Sequence, residues 1–316
     1  MDMSYLLWWQ NFRESTNNVF TPFMQFLSHF SVTYLILLPA FIYWCKDKKG
    51  GVWTLASLYV SMALTAIIKL TACVYRPFVK DLRIIPAAKH MPSSYSFPSG
   101  HTTMAAPMYL GPAVIFWHKH ITRFLSVIFV LLAILTGLSR NYLGVHTPQD
   151  VLVGFILSIA CMYLVKKAGN YFEKHPEKEN RWLIITAILC VLAFIYVLCK
   201  SYPMDYVNGK LLVNPHKMTR GAFENLGALL AFCGARYIEK TWIRFEATGL
   251  NLKGFLYGIA GLIPLYLMIA FAVKPIIHLF GSHWGRFASA SFLVFYIIAF
   301  YPFIIKRFCN KKQSIC

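Results

Sequence analysis

Nine stretches of this 316-residue chain are apolar over roughly the length that crosses a bilayer. They run at about 22–44, 52–70, 102–117, 122–138, 148–165, 182–199, 221–236, 254–273 and 287–305. A helix needs about 20 mostly apolar residues to span the hydrocarbon core. Lipid offers no partner to open backbone groups, so segments of this length read as helices and not as strands. The expected fold is an all-α, polytopic transmembrane bundle of about nine spans. Pro107, Gly111 and Pro112 predict a kink in the third stretch. Residues 1–21 read as an interfacial segment, anchored by the aromatic run from Tyr5 to Trp9.

Composition agrees. Apolar residues make up 58% of the chain and charged ones 14%, against about 25% charged in a soluble domain. Disorder, collagen, a disulfide-stapled secreted module and a simple soluble enzyme are excluded. The eight cysteines show no metal-ligand spacing. The net charge of +19 would suggest nucleic acid in a soluble protein. Here no basic helix with interleaved aromatics lies outside the spans, and the cations are those of loops flanking a membrane. One face of a nine-span layout carries 18 Lys and Arg and the other 12. The positive-inside rule places the richer face, with the C-terminus and its tail 306–316, in the cytoplasm. The N-terminus then faces the periplasm, the cell exterior or an organelle lumen.

Three polar blocks gather at the poorer face. They are Lys69 to Arg76-Pro77, then Pro98-Ser99-Gly100-His101, then Ser139-Arg140 through His146 to Asp150. All sit at the same ends of spans two to five, so one pocket can collect them. Lys69, Arg76 and Arg140 suit a small multivalent anion, the guanidinium fork matching phosphate oxygens. Lys69 and Arg76 are seven apart and share a face if the helix persists to Pro77. Ser99 and Gly100 would present backbone amides at a helix N-terminus. His146 and Asp150 are four apart, so the carboxylate can fix one ring nitrogen and leave the other as a nucleophile. His101 would be the general acid. With no acidic cluster for Mg²⁺, no metal or other cofactor is expected. Singly, each piece has a plain reading: snorkelling anchors, a turn, or a near-capping box at Thr147-Pro148-Gln149-Asp150. Their convergence at one face does not.

At these residues the chain resembles the type 2 phosphatidic acid phosphatase superfamily. All three motifs of that family are met: Lys, six residues, Arg-Pro; then Pro-Ser-Gly-His; then Ser-Arg, five residues, His, three residues, Asp. The resemblance implies a six-span catalytic core, here 22–200, followed by an outer loop at 201–220 and three further spans over 221–305. It implies a phosphohistidine on His146, oriented by Asp150, with His101 protonating the leaving group. Lys69, Arg76, Ser99, Gly100, His101 and Arg140 would hold the phosphoryl oxygens. Soluble vanadium haloperoxidases share such a pocket, but this composition argues against that branch. The substrate class implied is a lipid phosphate or diphosphate, such as a polyprenyl diphosphate, phosphatidate, phosphatidylglycerol phosphate or sphingoid-base phosphate. Nine spans with an outer site also look like glucose-6-phosphatases, so a soluble sugar phosphate is the alternative, followed by lipid phosphotransfer and anion transport. Lys80, Arg83 and Lys89, and Lys200, Lys210, Lys217 and Arg220, are further outer cations. They either meet a second phosphate or headgroup or are simply solvated. Thr219 to Asn225 and Ile243 to Glu246 carry polar residues without an assigned role.

Overall fold

A computed structural model describes residues 3–310, apart from 90, 91, 93, 118, 119, 208 and 209. The end of the tail, 311–316, lies outside the described residues. Helix α1 (Ser4–Ser15) buries Leu6, Gln10 and Arg13 on one stripe, while Tyr5 and Trp8 stay exposed. Asn17 and Asn18 turn the chain with positive φ, a conformation asparagine tolerates. Helix α2 (Thr21–Thr33) then bends by 41° into α3 (Leu37–Phe41), which runs on through a π turn to Lys46. Pro39 accounts for the break, because it lacks the amide that would bond the Leu35 carbonyl.

Five long helices and one short one follow the bend and complete the first half of the bundle. These are α4 (Lys48–Ala72), the short α5 (Pro77–Lys80), α6 (Gly100–Trp117), α7 (Arg123–Tyr142), α8 (Pro148–Lys174) and α9 (Pro176–Cys199). Asp47 caps α4 by accepting from the Gly50 amide at 2.9 Å. A short hairpin pairs β1 (Tyr206–Val207) with β2 (Lys210–Leu211). Beyond it come α10 (Pro215–Met218), α11 (Arg220–Ile238), α12 (Leu252–Leu267), α13 (Val273–Phe280), α14 (Trp284–Phe295) and α15 (Tyr301–Asn310). A π turn joins α12 to α13, and another joins α14 to α15.

Each of the nine apolar stretches is helical, but a count of nine spans does not follow. Among the described residues, six helical stretches are long and apolar enough to cross a membrane, or seven if the bent pair counts as one. Helices α6 and α11 fall short. Their position explains it. Helix α6 packs against α4, α7 and α8, and α11 against α4, α9 and α14. A helix surrounded by protein has no need to be uniformly apolar. The lipid-facing helices show the opposite pattern, with only 17% of the apolar window of α9 buried against 56% for α4. The expected loop at 166–181 is also corrected: α8 and α9 are separated by His175 alone, so its cations ride on helix ends.

One apolar cluster runs without interruption from α4 to α14, and a charged clamp reinforces it at the end opposite the polar blocks. Glu239, fully buried, pairs with Lys48 at 2.8 Å and Arg236 at 2.5 Å. Arg236 also reaches Glu179 at 2.9 Å, and Lys240 reaches the same carboxylate at 2.9 Å. Nearby, Trp44 Nε1 and Tyr43 Oη donate to the carbonyls of Ile297 and Ile298. By contrast Arg244 and Glu246, which the sequence marked, are exposed. Removing one member of a buried ion cluster costs about 3–5 kcal/mol, because its partners stay buried and uncompensated. Glu239→Ala is therefore expected to lower the midpoint of thermal unfolding in detergent by several degrees, read by loss of the monodisperse species on heating. Lys49→Ala, which breaks an exposed pair with Glu173, should leave it unchanged.

Candidate active site

The site is assembled from the C-terminal end of α4, the N-terminal end of α6, the C-terminal end of α7 and the N-terminal end of α8. All three polar blocks therefore meet at one end of the bundle. Lys69, in the last turn of α4, is buried and donates to the carbonyls of Tyr95, Ser96 and Pro98. Helix α4 does not persist to Arg76. It stops at Ala72, with Cys73 in the left-handed region, and Arg76 sits in extended backbone at the head of α5. The shared helical face expected for Lys69 and Arg76 is thus absent. The two converge through the 94–98 segment instead.

Arg76 is the most heavily bonded group. Its Nε donates to Ser94 O at 2.8 Å, its Nη2 to Ser94 Oγ at 3.1 Å and its Nη1 to Val145 O at 2.9 Å. Nη1 also lies 2.7 Å from His146 Nε2. A guanidinium only donates, so Nε2 is the acceptor and the ring proton resides on Nδ1. Nδ1 faces Asp150 Oδ2 at 3.2 Å. His146 sits between α7 and α8, fully buried, and desolvation followed by the charges of Arg76, Lys69 and Arg140 holds its pKa well below the ordinary 6.5. The imidazole is thereby kept neutral, with an Nε2 lone pair aimed at the cations.

Asp150 is held from three directions. It accepts from the Thr147 amide at 2.9 Å, from Ser96 Oγ at 2.5 Å and from His146 Nδ1. Thr147 Oγ1 returns a bond to the Asp150 amide, which completes a capping box with Pro148 in the first turn. The capping reading of this tetrapeptide holds, and the same carboxylate also meets His146. Ser99 is buried at the head of α6, its amide donating to Asp150 O at 2.9 Å and its Oγ accepting from Thr102 Oγ1 at 2.9 Å. Gly100 lies against Lys69, whose Cε is 3.7 Å from where a Cβ would stand. His101 is half-buried, within electrostatic reach of Arg140, His146, Arg76 and Lys69. Arg140 is buried, with Nη1 on Ser28 Oγ and Nε without a partner.

The structure therefore brings all eight residues of the sequence reading into one buried cluster. Several supporting groups were not legible in the sequence. Ser96 bonds Asp150, Asn141 donates to His146 O at 2.9 Å, and Ser28 on α2 meets Arg140. Arg13 of α1 donates to Tyr142 O at 3.1 Å and Ile85 O at 2.7 Å, which straps the N-terminal helix over the outer loops. Of the outer cations, Lys80 and Lys89 are exposed and Arg83 is engaged by Asp81 at 2.7 Å. The side chain of Lys210 lies outside the described residues.

Residues 50–174 match a family model described as the PAP2 superfamily. That match covers less than half of the 316 residues. It includes all eight residues that the sequence singles out for the site. Among curated proteins the chain is similar to phosphatidylglycerophosphatase B of Bacillus subtilis, 39% identical over 27% of this chain and 45% of that one. It is similar to undecaprenyl-diphosphatase of Sulfolobus acidocaldarius, 27% identical over 42% of this chain and 63% of that one. It is also similar to sphingosine-1-phosphate phosphatase 2 of Mus musculus, 24% identical over 55% of this chain and 48% of that one. The chain thus spans roughly half the length of these relatives. No solved structure matches it.

With His146 neutral, Lys69, Arg76 and Arg140 set three cations against the one carboxylate of Asp150. That excess of positive charge in a buried site calls for an anion carrying about two charges. Inorganic phosphate should bind in the purified protein, measured by calorimetry. Arg140→Ala should weaken it tenfold or more, as expected for a charge-assisted bond worth about 1.5–3 kcal/mol. Equal affinity in the variant would count against this assignment.

Proposed function

We propose that this integral membrane protein is a phosphatase of lipid phosphates or diphosphates, working through a phosphohistidine on His146 at the non-cytoplasmic face. The observation that carries the proposal is the line from Asp150 Oδ2 to His146 Nδ1 at 3.2 Å and from Nε2 to Arg76 Nη1 at 2.7 Å. One ring nitrogen is fixed by a carboxylate and the other is presented as a lone pair among cations. The phosphatase names of the relatives support the reaction class. Their lipid substrates, as named, favour a lipid ester over a sugar phosphate. The excess of Lys and Arg at the opposite end supports the sidedness.

In the proposed reaction the phosphoryl group enters beside Nε2. The Arg76 guanidinium then transfers its Nη1 donation from the ring to an equatorial oxygen. Nε2 attacks in line, the N–P bond forms, and the P–O bond to the leaving alkoxide or phosphate breaks. His101 gives that oxygen its proton. Lys69, Arg140 and the amides at Ser99 and Gly100 stabilise the charge spread over the three equatorial oxygens. Water attacks phosphorus next, with His101 accepting its proton. The N–P bond then breaks and inorganic phosphate leaves. The Asp150 carboxylate stabilises the imidazolium character that develops on His146.

Three outcomes test this. Phosphate release from a panel of phosphatidate, phosphatidylglycerol phosphate, a polyprenyl diphosphate, a sphingoid-base phosphate and glucose 6-phosphate should favour the lipids, with EDTA leaving the rate unchanged. Preference for the sugar ester would reject the lipid reading. His146→Ala should fall to below about a thousandth of the wild-type rate while remaining monodisperse. Because burial and cations lower the His146 pKa, attack by the neutral ring persists as pH falls. The acid limb of kcat/KM should therefore lie below 6.5, and Arg140→Gln, by removing one cation, should move it up toward 6.5.

A further inference from the structure

A second cavity opens on the same end of the molecule, outside the PAP2 match, between the end of α9 and the starts of α10, α11 and α14. It has a volume of about 510 Å³, within the range of sites that hold a small amphiphile. One wall is apolar, made by Val197, Leu198, Phe223 and Trp284. Leu198 and Trp284 are 61% and 57% exposed on the outer surface of the bundle, where lipid tails would lie. The other wall is polar and carries Lys200, His216 and Thr219.

This wall is fixed. His283 Nε2 lies 3.0 Å from His216 O and 2.9 Å from Thr219 Oγ1, which pins α10 against the start of α14. The His216 and His283 rings pack at 4.2 Å. Arg220 in the first turn of α11 has a buried Nε without a partner, and its charge reaches His283. Among the described residues, no carboxylate lines the cavity. The two acids nearby are engaged elsewhere, Glu224 by Arg286 at 2.9 Å and Asp205 by Tyr75 at 2.5 Å. Lys200 also reaches Thr71 O at 3.4 Å, so the cavity abuts the end of α4 that carries Lys69.

We propose that this cavity binds a single-chain anionic amphiphile, with its phosphate or other anionic head on Lys200 and His216 and its alkyl chain along Leu198, Phe223 and Trp284. The apolar wall facing the bilayer and the cationic wall facing water match the two halves of such a molecule. The proposal does not rest on the catalytic reading.

The test is photolabelling of the full-length His146→Ala protein in a neutral maltoside detergent with a diazirine-bearing dodecyl phosphate, followed by peptide mapping. Label is expected on the peptides containing Phe223 and Trp284. It should drop at least fivefold when Lys200→Ala and His216→Ala are added, and Lys200→Arg should retain it. Unfolding temperature serves as the fold control, since Lys200 and His216 lie at the surface. Equal label in the double variant, or equal label from the matching dodecyl alcohol, would overturn the proposal. Suppression by an equal concentration of inorganic phosphate would overturn it too, by making the site one for free phosphate. Loss of catalysis in any variant has no bearing on these readings, so this proposal and the catalytic one fail separately.

Discussion

A single carboxylate holds the three polar blocks together. Asp150 caps α8 through the Thr147 amide, orients His146 through Nδ1 and bonds Ser96, while its own backbone carbonyl accepts from Ser99 at the head of α6. Each bond is modest alone. A helix cap is worth about 1 kcal/mol and a hydrogen bond to a charged group about 1.5–3. Their coupling matters more, because the same atom that ends a helix also decides which nitrogen of His146 carries the proton. The geometry of His146 is thus tied to the stability of α8. Lys69 and Arg76 then converge on the same 94–98 segment from the other side, so the loop before α6 is fixed between an anion and two cations.

Burying this much charge is expensive, and the bundle is arranged around the cost. Helices α6 and α11, which fall short of a span by length and composition, are enclosed by other helices, and the helices that meet lipid are apolar and mostly unburied. Hydropathy alone consequently undercounts the helices. The polar side chains are concentrated where protein, and not lipid, can satisfy them. Ser31, Tyr109 and Thr136 show this at depth, with Ser31 Oγ 3.2 Å from Tyr109 Oη and 3.0 Å from Thr136 Oγ1 inside the α2, α6 and α7 contact.

The fold class, and the meeting of three polar blocks at one end of the bundle, were readable because both are written in local spacing. Apolar length marks a helix, and the near-capping box at Thr147–Asp150 marks the start of α8, which leaves His146 just before the cap and off the helix. The step from Lys69 to Arg76 misled, since its reading assumed a helix that Cys73 ends in the left-handed region. Ser96, Asn141, Ser28 and Arg13 carried no signal. Most of their contacts cross long stretches of chain, as from Arg13 to Tyr142, and a serine near a motif looks like any other serine. Glu239 was missed for a different reason: it follows a helical pattern at a span end, where a solvated acid is the ordinary expectation, yet folding encloses it between Lys48 and Arg236.

The C-terminal helices lie beyond the family match, but they are not an independent appendage. They are bound to the core at both ends. At one end Glu239 joins the start of α4. At the other, Asp205 accepts from Tyr75, the residue next to Arg76, and Tyr75 packs on Tyr95, whose carbonyl receives Lys69. A displacement of the 200–212 segment would therefore reach the two cations of the site through two aromatic rings and one backbone carbonyl. Cores packed this closely transmit such shifts instead of absorbing them. The loop that bears Asp205 is thus the physical link between the C-terminal helices and the segment on which Lys69 and Arg76 converge.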